Sequence, residues 1–414
     1  MSGENPRTVS MVVWNEFLND ARVLKEAETL QATGCLVTVH ALHTPFVTKE
    51  RETLENGIKI VRMARSPLWQ WRKKSKVSSG TNRPAAPQGP ITKMSLSRQI
   101  LRIVARLWTH LGLIILMLKS RPDVVHAHDV NTLPTAWLVA VFSRSPLVYD
   151  AHEISTDREG YASFRNFVGL VEKYLMPRAK ASITTTDIRA KFFRRAYKVP
   201  RPVVLQNRPR HTSRPPERSD RIREELQLEN PWPIIVYQGG LQQGRGLDRL
   251  VRVAGQVENA YFVFIGGGRL EAGLKKLAEE LELQNKVYFI STVALSELPF
   301  YTASADIGVQ PIENTCLNHF STDSNKLFEY VIAGLPVVAS NLPEIRKVVN
   351  KGKVGIVVPD GDSDAMAGAL QSLVDSPELR QQYRSASQAA AKHYCWEEQE
   401  HELISLYDRV LNNK

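Results

Sequence analysis

Only three of the 414 residues are cysteine, at positions 35, 316 and 395. They are too few and too far apart for a disulfide framework or the paired CxxC spacing of a zinc site, so a reducing compartment fits. Acidic charge is short too: 43 Asp and Glu stand against 54 Lys and Arg. The resulting net charge of +11 favours phosphorylated substrates, anionic lipid or other polyanions without identifying chemistry. No uninterrupted apolar run reaches the roughly 18 residues of a membrane-spanning helix. The opening MSGENPRTVSMVVWNEF lacks the basic region and sustained apolar core of a signal peptide. These lacks predict a cytosolic protein. No basic module studded with aromatics is evident, which disfavours a nucleic-acid partner.

What is present is ordinary globular material, 43% hydrophobic and 23% charged, enough for two cores. Strand-like TVSMVV, helical NDARVLKEAETLQATG and strand-like CLVTVHAL make one βαβ unit. PDVVHAHD, PLVYDAHE and KASITTT add three short strands between helical patterns, the signature of a parallel sheet covered on both faces. The alternation restarts after the Pro- and Arg-rich HTSRPPERSDR, with strands in PIIVYQGG, AYFVFIGGG, KVYFIST, ADIGVQP, PVVAS and VGIVVP. Two α/β domains are therefore expected, 1–209 and 210–395, with ligands at the carboxyl ends of the strands and a cleft between the domains.

Residues 66–95, rich in Ser, Pro and basic side chains, read as a mobile insertion. The helix that follows carries Arg98, Arg102, Arg106 and His110 at four-residue spacing beside an apolar face. Two readings stay open: binding to an anionic membrane surface, or a helix covering the sheet with its charged side in water.

Phosphate-binding loops should leave the strands of the second half. In VYQGGLQQGRGLDRLV, Gly239 and Gly240 end a strand, and Gly244, Arg245 and Gly246 precede a helix. Backbone can approach a diphosphate there, helix-end N–H groups can donate to it and Arg245 can add a cation, although βα turns need glycine for structure alone. Neither this loop nor FIGGGRL is a GxGxxG fingerprint, so an oxidoreductase is disfavoured. In STDSNKLFEYVIAG, a short helix from Asp323 to Ala333, capped by Ser321 or Thr322, puts Asn325 and Glu329 on one face, with Lys326 three residues before Glu329. Glu329 is then either a ribose clamp or a surface acid paired with Lys326.

In this order and spacing, NDARVLKEAETLQATGCLVTV, DVVHAHDVNTLPTAW, PLVYDAHEIS, YQGGLQQGRGLDRLV, FIGGGRL, ELPFYTASADIGVQP and NKLFEYVIAGLPVVAS resemble the retaining glycosyltransferases of family 4 over nearly the whole chain. The resemblance implies the GT-B fold, two Rossmann-like α/β domains facing a cleft that closes on substrate. The second domain would hold a nucleoside diphosphate sugar and the first an acceptor, a glycan or a lipid-linked carrier. A terminal helix, 396–414, would pack back on the first domain. By motif, His152 matches the histidine beside the donor sugar, with His126 and His128 as rivals. Arg245 matches the basic residue at the diphosphate, and Glu329 the second, ribose-binding acid of EX7E. The donor set takes in Gly239, Gly240, Gly267, Thr292, Ser324, Asn325 and Lys326 as well.

Two positions depart from that pattern. The first EX7E acid falls on Ser321, leaving Asp323, Glu313 or the backbone of 321–324 to meet the hexose. The companion phosphate arginine falls on Gly240. NEFLNDARV replaces the early Gly-Gly loop, so Asn19, Asp20 and Arg22, with His128 and Asp129, become acceptor-side candidates, a helix N-cap at Asn19 or Asp20 being the structural alternative. The implied reaction moves a hexosyl group to an acceptor hydroxyl with retention, in cell-envelope polysaccharide or glycoconjugate synthesis, without a metal or other cofactor. A non-catalytic sugar-nucleotide- or glycan-binding subunit is the rival, motivated by Ser321 and Gly240.

Overall fold

The computed structural model describes residues 6–66, 96–158, 161, 164–211 and 218–412, with 96–99 described as backbone only. The predicted insertion, from 67 onward, and part of the connector lie outside the described residues. The chain forms two compact units, one made of the N-terminal half to 206 plus 399 onward, the other of 207–398.

The first unit is built on β1 (Thr8–Val12), β2 (Leu36–His43), β3 (Arg51–Thr53), β4 (Lys59–Ala64), β5 (Val124–His128), β6 (Leu147–Ala151), β7 (Ala181–Thr184) and β8 (Val203–Val204). Their order is β3-β4-β2-β1-β5-β6-β7-β8, parallel except for β3 against β4. Helices α1 (Ala21–Ala32), α2 (Leu96–Lys119), α3 (Leu133–Ser143), α4 (Arg165–Leu175) and α5 (Asp187–Tyr197) supply the crossovers. Strands β5 and β6 are buried along their whole length, which is why they read as continuous apolar runs broken only by groups that turn out to matter, His126, His128 and Asp150. The chain winds outward from β1 in one direction and from β5 in the other, so the crevice of this sheet lies at the ends of those two neighbours. Helix Glu400–Asn412 belongs to this unit: Thr29 on α1 donates to Glu400 at 3.0 Å, and Leu403, Leu406 and Val410 are buried.

The second unit is a six-stranded, all-parallel sheet in the order β11-β10-β9-β12-β13-β14. Its strands are β9 (Ile234–Gln238), β10 (Tyr261–Ile265), β11 (Val287–Ile290), β12 (Ile307–Gln310), β13 (Val337–Ser340) and β14 (Gly355–Val358). The switch point falls between β9 and β12. One core lies on each face of the sheet, one around Val236, Val263 and Tyr330, the other around Ile235, Leu250 and Phe264.

Two expectations change. The 18-residue criterion that the sequence fails as an uninterrupted apolar run is met once α2 forms, because Ile100–Lys119 has a mean hydropathy of 1.7 and only a small buried share, 17%. The basic stripe of α2 is also divided: Arg102 and Arg106 are exposed, as a charged side in water requires, while His110 turns inward. His110 is half-buried, stacked on Trp14 at 4.3 Å and bonded to Thr135 at 2.6 Å, and Arg106 lies over the same indole. Much of the apolar side is left outside. With apolar residues on both flanks, spacing alone does not say which flank meets the sheet.

Candidate active site

In the first unit, the carboxyl ends of β5 and β6 carry a buried ionic network. Asp150 is its hub. Both of its oxygens accept from Arg22, at 2.7 and 2.9 Å, and Oδ2 also lies 3.0 Å from His152 Nε2 and 3.4 Å from His128 Nδ1. His152 is the member that reaches the surface, with its side chain 21% exposed. Burial works against charge on its ring, but Asp129, 3.8 Å from Nδ1, and Asp150 outweigh it and raise the imidazolium to about 9. The backbone is pinned as well, since Arg189 on α5 donates to the His152 carbonyl at 2.6 Å. His152 is thus held as a cation at a strand end. His128 stays neutral, pushed down first by burial. Asp129 closes the strand in a left-handed conformation, φ 63°, its carboxylate shared between His152 and Arg158.

Of the acceptor-side candidates at 19–22, Arg22 is corrected and Asp20 takes the N-cap role left open for it. Arg22 is buried and spends its guanidinium on Asp150 and the Leu205 carbonyl, so it is a structural counter-ion with no face for a ligand. Asp20 is the N-cap of α1, accepting from the Val23 N–H at 3.2 Å and from Asn15 at 2.8 Å. Asn19 is exposed. His128, only 2% exposed, sits behind His152 and cannot itself meet an acceptor.

Glu26, His126, His128 and Asp150 bring atoms of metal-ligating type within 4.8 Å of one another, all buried. The cation the structure shows among them is Arg22, 3.2 Å from Glu26 Oε1 as well as bonded to Asp150. Glu26, deprived of water and facing Asp150, is pushed well above the ordinary carboxylate range.

In the second unit, the loops after β9 and β10 lie backbone against backbone. Gly239 N–H donates to the Ile265 carbonyl and Leu241 N–H to that of Gly267. Gly240 is exposed, and Gly267 faces Thr292, whose Oγ1 stands 3.2 Å from where a Cβ would project. Gly246, at φ 69°, packs so tightly on the segment after β12 that a Cβ would lie 1.9 Å from the Pro311 carbonyl oxygen. Thus the glycines have structural reasons. They also leave the backbone of 239–240 bare at the switch point, where ligands of such sheets bind.

The helix predicted over 323–333 spans Asn325–Ile332, and its cap is Ser324 rather than Ser321 or Thr322. Ser324 has φ 54° and makes no side-chain capping bond, so that oxygen leaves the first-turn N–H groups to other partners. Lys326 on this helix is buried, its Nζ 3.3 Å from Ser324 Oγ and 5.0 Å from the Tyr237 ring centre. Burial, then the charge of Arg245, pull its ammonium down to about 7 against the opposing pull of Glu329. Lys326 therefore feels both Arg245 and Glu329, and its Cε stands 3.3 Å from where a Cβ on Gly239 would project.

Glu329 is half-buried, and one carboxylate oxygen accepts from the side-chain amide of Gln238. That amide is fixed from its other side, since Gln238 Oε1 accepts from Thr302 at 2.8 Å. So Glu329 is neither a free surface acid nor simply the partner of Lys326. Gln238 was missed in the sequence, where its one signal was a lone amide ending an apolar strand. Ser321 is fully buried, its hydroxyl directed to the Asn318 carbonyl at 3.5 Å. Asp323 is buried, and Glu313 is clasped by Arg249 at 2.8 Å.

Two doubly wound sheets, one ending in a cationic histidine and the other in a glycine loop flanked by Arg, Lys and Glu, define a class of two-domain group-transfer enzymes. Family models place the chain within it: "Glycosyl transferase 4-like domain" matches residues 20–208 and "Glycosyl transferases group 1" residues 218–390. The chain belongs to the group 1 glycosyltransferases of family 4 type and is a glycosyltransferase. It is 23% identical over 306 residues to a D-inositol 3-phosphate glycosyltransferase of Corynebacterium urealyticum, covering 69% of this chain and 71% of that one. A phosphatidyl-myo-inositol mannosyltransferase of Mycobacterium leprae is 40% identical over 84 residues, 20% of this chain and 22% of its own length. Among solved structures, sucrose-phosphate synthase from Thermosynechococcus elongatus superposes with a TM-score of 0.76 at 16% identity, covering 99% of this chain and 100% of that one. Anabaena HepE in complex with UDP and glucose gives 0.70 at 15%, covering 98% and 99%. The fold is GT-B.

Proposed function

We propose that the protein transfers a hexosyl group from a nucleoside diphosphate sugar to an acceptor hydroxyl with retention at the anomeric carbon, in cell-envelope polysaccharide or glycoconjugate synthesis. The observation that carries this reading is the second-unit cluster: bare glycine backbone at 239–240, basic side chains at 245 and 326, and a carboxylate aimed by Gln238. A diphosphate needs the first two features, and a ribose diol the third.

In this reading Arg245, Lys326 and the N–H groups of helix Asn325–Ile332 offset the charge that grows on the departing diphosphate. Glu329 accepts from the ribose hydroxyls, while Gly267 and Thr292 line the same loop group. Cations already on the protein can supply the electrophilic stabilisation, so no metal is assigned to the reaction. The leaving diphosphate oxygen takes the acceptor proton, because none of the carboxylates described is assigned as a nucleophile. His152 is assigned to the transferred sugar and Asp129 to the acceptor side. The acceptor belongs to a glycan or a lipid-linked carrier at the cytoplasmic face of a membrane.

A thermal-shift screen of nucleoside diphosphates and their sugars tests this directly, because a ligand of the folded state raises the melting temperature. A shift is expected for the matching nucleotide, and Glu329→Ala should bind it about 10- to 100-fold more weakly. Equal affinity in that variant would remove the ribose role.

A further inference from the structure

We infer that the outer faces of α2, α3 and α4 form one apolar platform that lies on an anionic lipid bilayer. This deepens the proposed function by naming the membrane-facing surface, and rests on it only in placing the protein beside a membrane. Leu101, Ile103 and Leu107 on α2, Phe142 on α3, and Phe167 and Leu170 on α4 are each 60% to 68% exposed. The helices adjoin. His110 of α2 bonds Thr135 of α3 at 2.6 Å, Arg106 reaches Asn131 at 2.8 Å, and α3 packs in turn on α4. Scattered exposed leucines need no explanation, but a patch shared by three neighbouring helices does.

The charges choose the occupant. α2 and α3 contain no Asp or Glu, and the one acid of α4, Glu172, is fully buried among Tyr149, Ser155 and Tyr197. Exposed cations surround the apolar residues: Arg102, Lys119, Arg144, Arg165, Lys173 and Arg178. Three helices with a basic rim and no exposed acid of their own around an apolar centre complement anionic headgroups over acyl chains. A second copy of the same face would meet it cation to cation. Trp108 and Tyr174, half exposed, have the amphipathic rings suited to the headgroup level.

The platform lies on the bilayer rather than crossing it, although α2 has the length and hydropathy to span. Its inner flank is committed to the sheet: Leu113 and Met117 are fully buried, Thr109 bonds the Arg65 carbonyl at 3.2 Å, and Met63 fills the space over Gly112. Crossing would strip those contacts.

The test is co-sedimentation of the full chain with vesicles of phosphatidylcholine alone and of phosphatidylcholine containing phosphatidylglycerol. The variants are Leu107→Glu on α2 and Phe167→Glu on α4, with donor hydrolysis in vesicle-free buffer measured alongside. The parent should pellet with the anionic vesicles, less so as salt rises. Each variant should lower the partition constant about tenfold or more and hydrolyse donor like the parent. Both side chains point outward, so both variants should keep the parent's circular dichroism and melting temperature. A parent that stays in the supernatant, or variants that partition like it, would overturn the platform. So would a lipid-free dimer that Leu107→Glu dissociates, since the face would then be a protein interface. Loss of hydrolysis in every chain, with vesicle binding intact, would instead strike the proposed reaction.

Discussion

Lys326 ties burial, charge and donor binding to one measurable quantity. In the free protein its ammonium is held at about 7, first by burial and second by Arg245, with Glu329 opposing. Two phosphate groups beside it would reverse the balance and restore the proton toward the ordinary lysine range. At pH 8 about nine in ten free molecules carry neutral Lys326, so binding a nucleoside diphosphate sugar should take up close to one proton. The sign follows from linkage: a group protonated on binding makes affinity fall as pH rises. Between pH 6 and pH 8 the loss should be about tenfold, or ~1.4 kcal/mol, and it should steepen toward a further tenfold by pH 9. Unliganded stability should move the other way. From about 7 to about 10.5 the unfolded chain binds the extra proton, so this lysine makes the free protein more stable as pH rises through that window.

Calorimetric titration at pH 8, in two buffers of different ionisation enthalpy, reads the proton directly. The sugar-bearing donor is the right ligand, because its phosphates are fully ionised across this range. Lys326→Met should bind more weakly at pH 6 and lose the proton uptake. Lys326→Arg should keep charge and lose the pH slope, an arginine staying protonated throughout. Donor bound with no proton exchanged, or a slope that persists in Lys326→Met, would place the diphosphate elsewhere and refute the reasoning.

Asp150→Asn should destabilise the first unit by about 3–5 kcal/mol, because it strands the buried Arg22 guanidinium and removes the 3.0 Å partner of His152. His152, raised to about 9, contributes stability that is complete below about 6.5 and lost as pH rises toward 9. The gap between parent and variant in denaturant titrations should therefore narrow over that window; a constant gap would mean that Asp150 does not hold the His152 charge. Gly246→Ala adds a Cβ at φ 69°, 1.9 Å from the Pro311 oxygen. It should lower the melting temperature and weaken donor binding together, and parent-like values of both would show that this loop is not needed in its observed form.

What was legible in the sequence follows from how each element is buried. Strands β9 and β10 lie in a sheet covered on both faces, so their apolar runs ended within a residue or two of the observed strands. β3 and β4 were missed because RETLENGIKIVRMA alternates polar and apolar residues at a sheet edge, where half of each strand meets water. The histidine at 152 was legible as a strand-end residue. Its charge was not, because that depends on Asp129 and Asp150 converging from two strands.

Arg22 and Glu329 show the same limit from opposite sides. Read locally, Arg22 stood beside a helix start and looked available to an anion; its partner Asp150 is 128 residues away, and burial turned a ligand candidate into a counter-ion. Read locally, Glu329 had Lys326 one turn back and looked like a surface pair. Gln238, 91 residues away, instead orients the carboxylate, and the buried lysine is left under the opposing influence of Arg245 and Glu329. A short-range motif can therefore name the residue types of a site, but whether a charge is free to meet a ligand is set by partners that only the completed sheet brings into range. In Arg22 the fold has spent the charge; in Lys326 it has held one at a pKa where an arriving diphosphate can restore it.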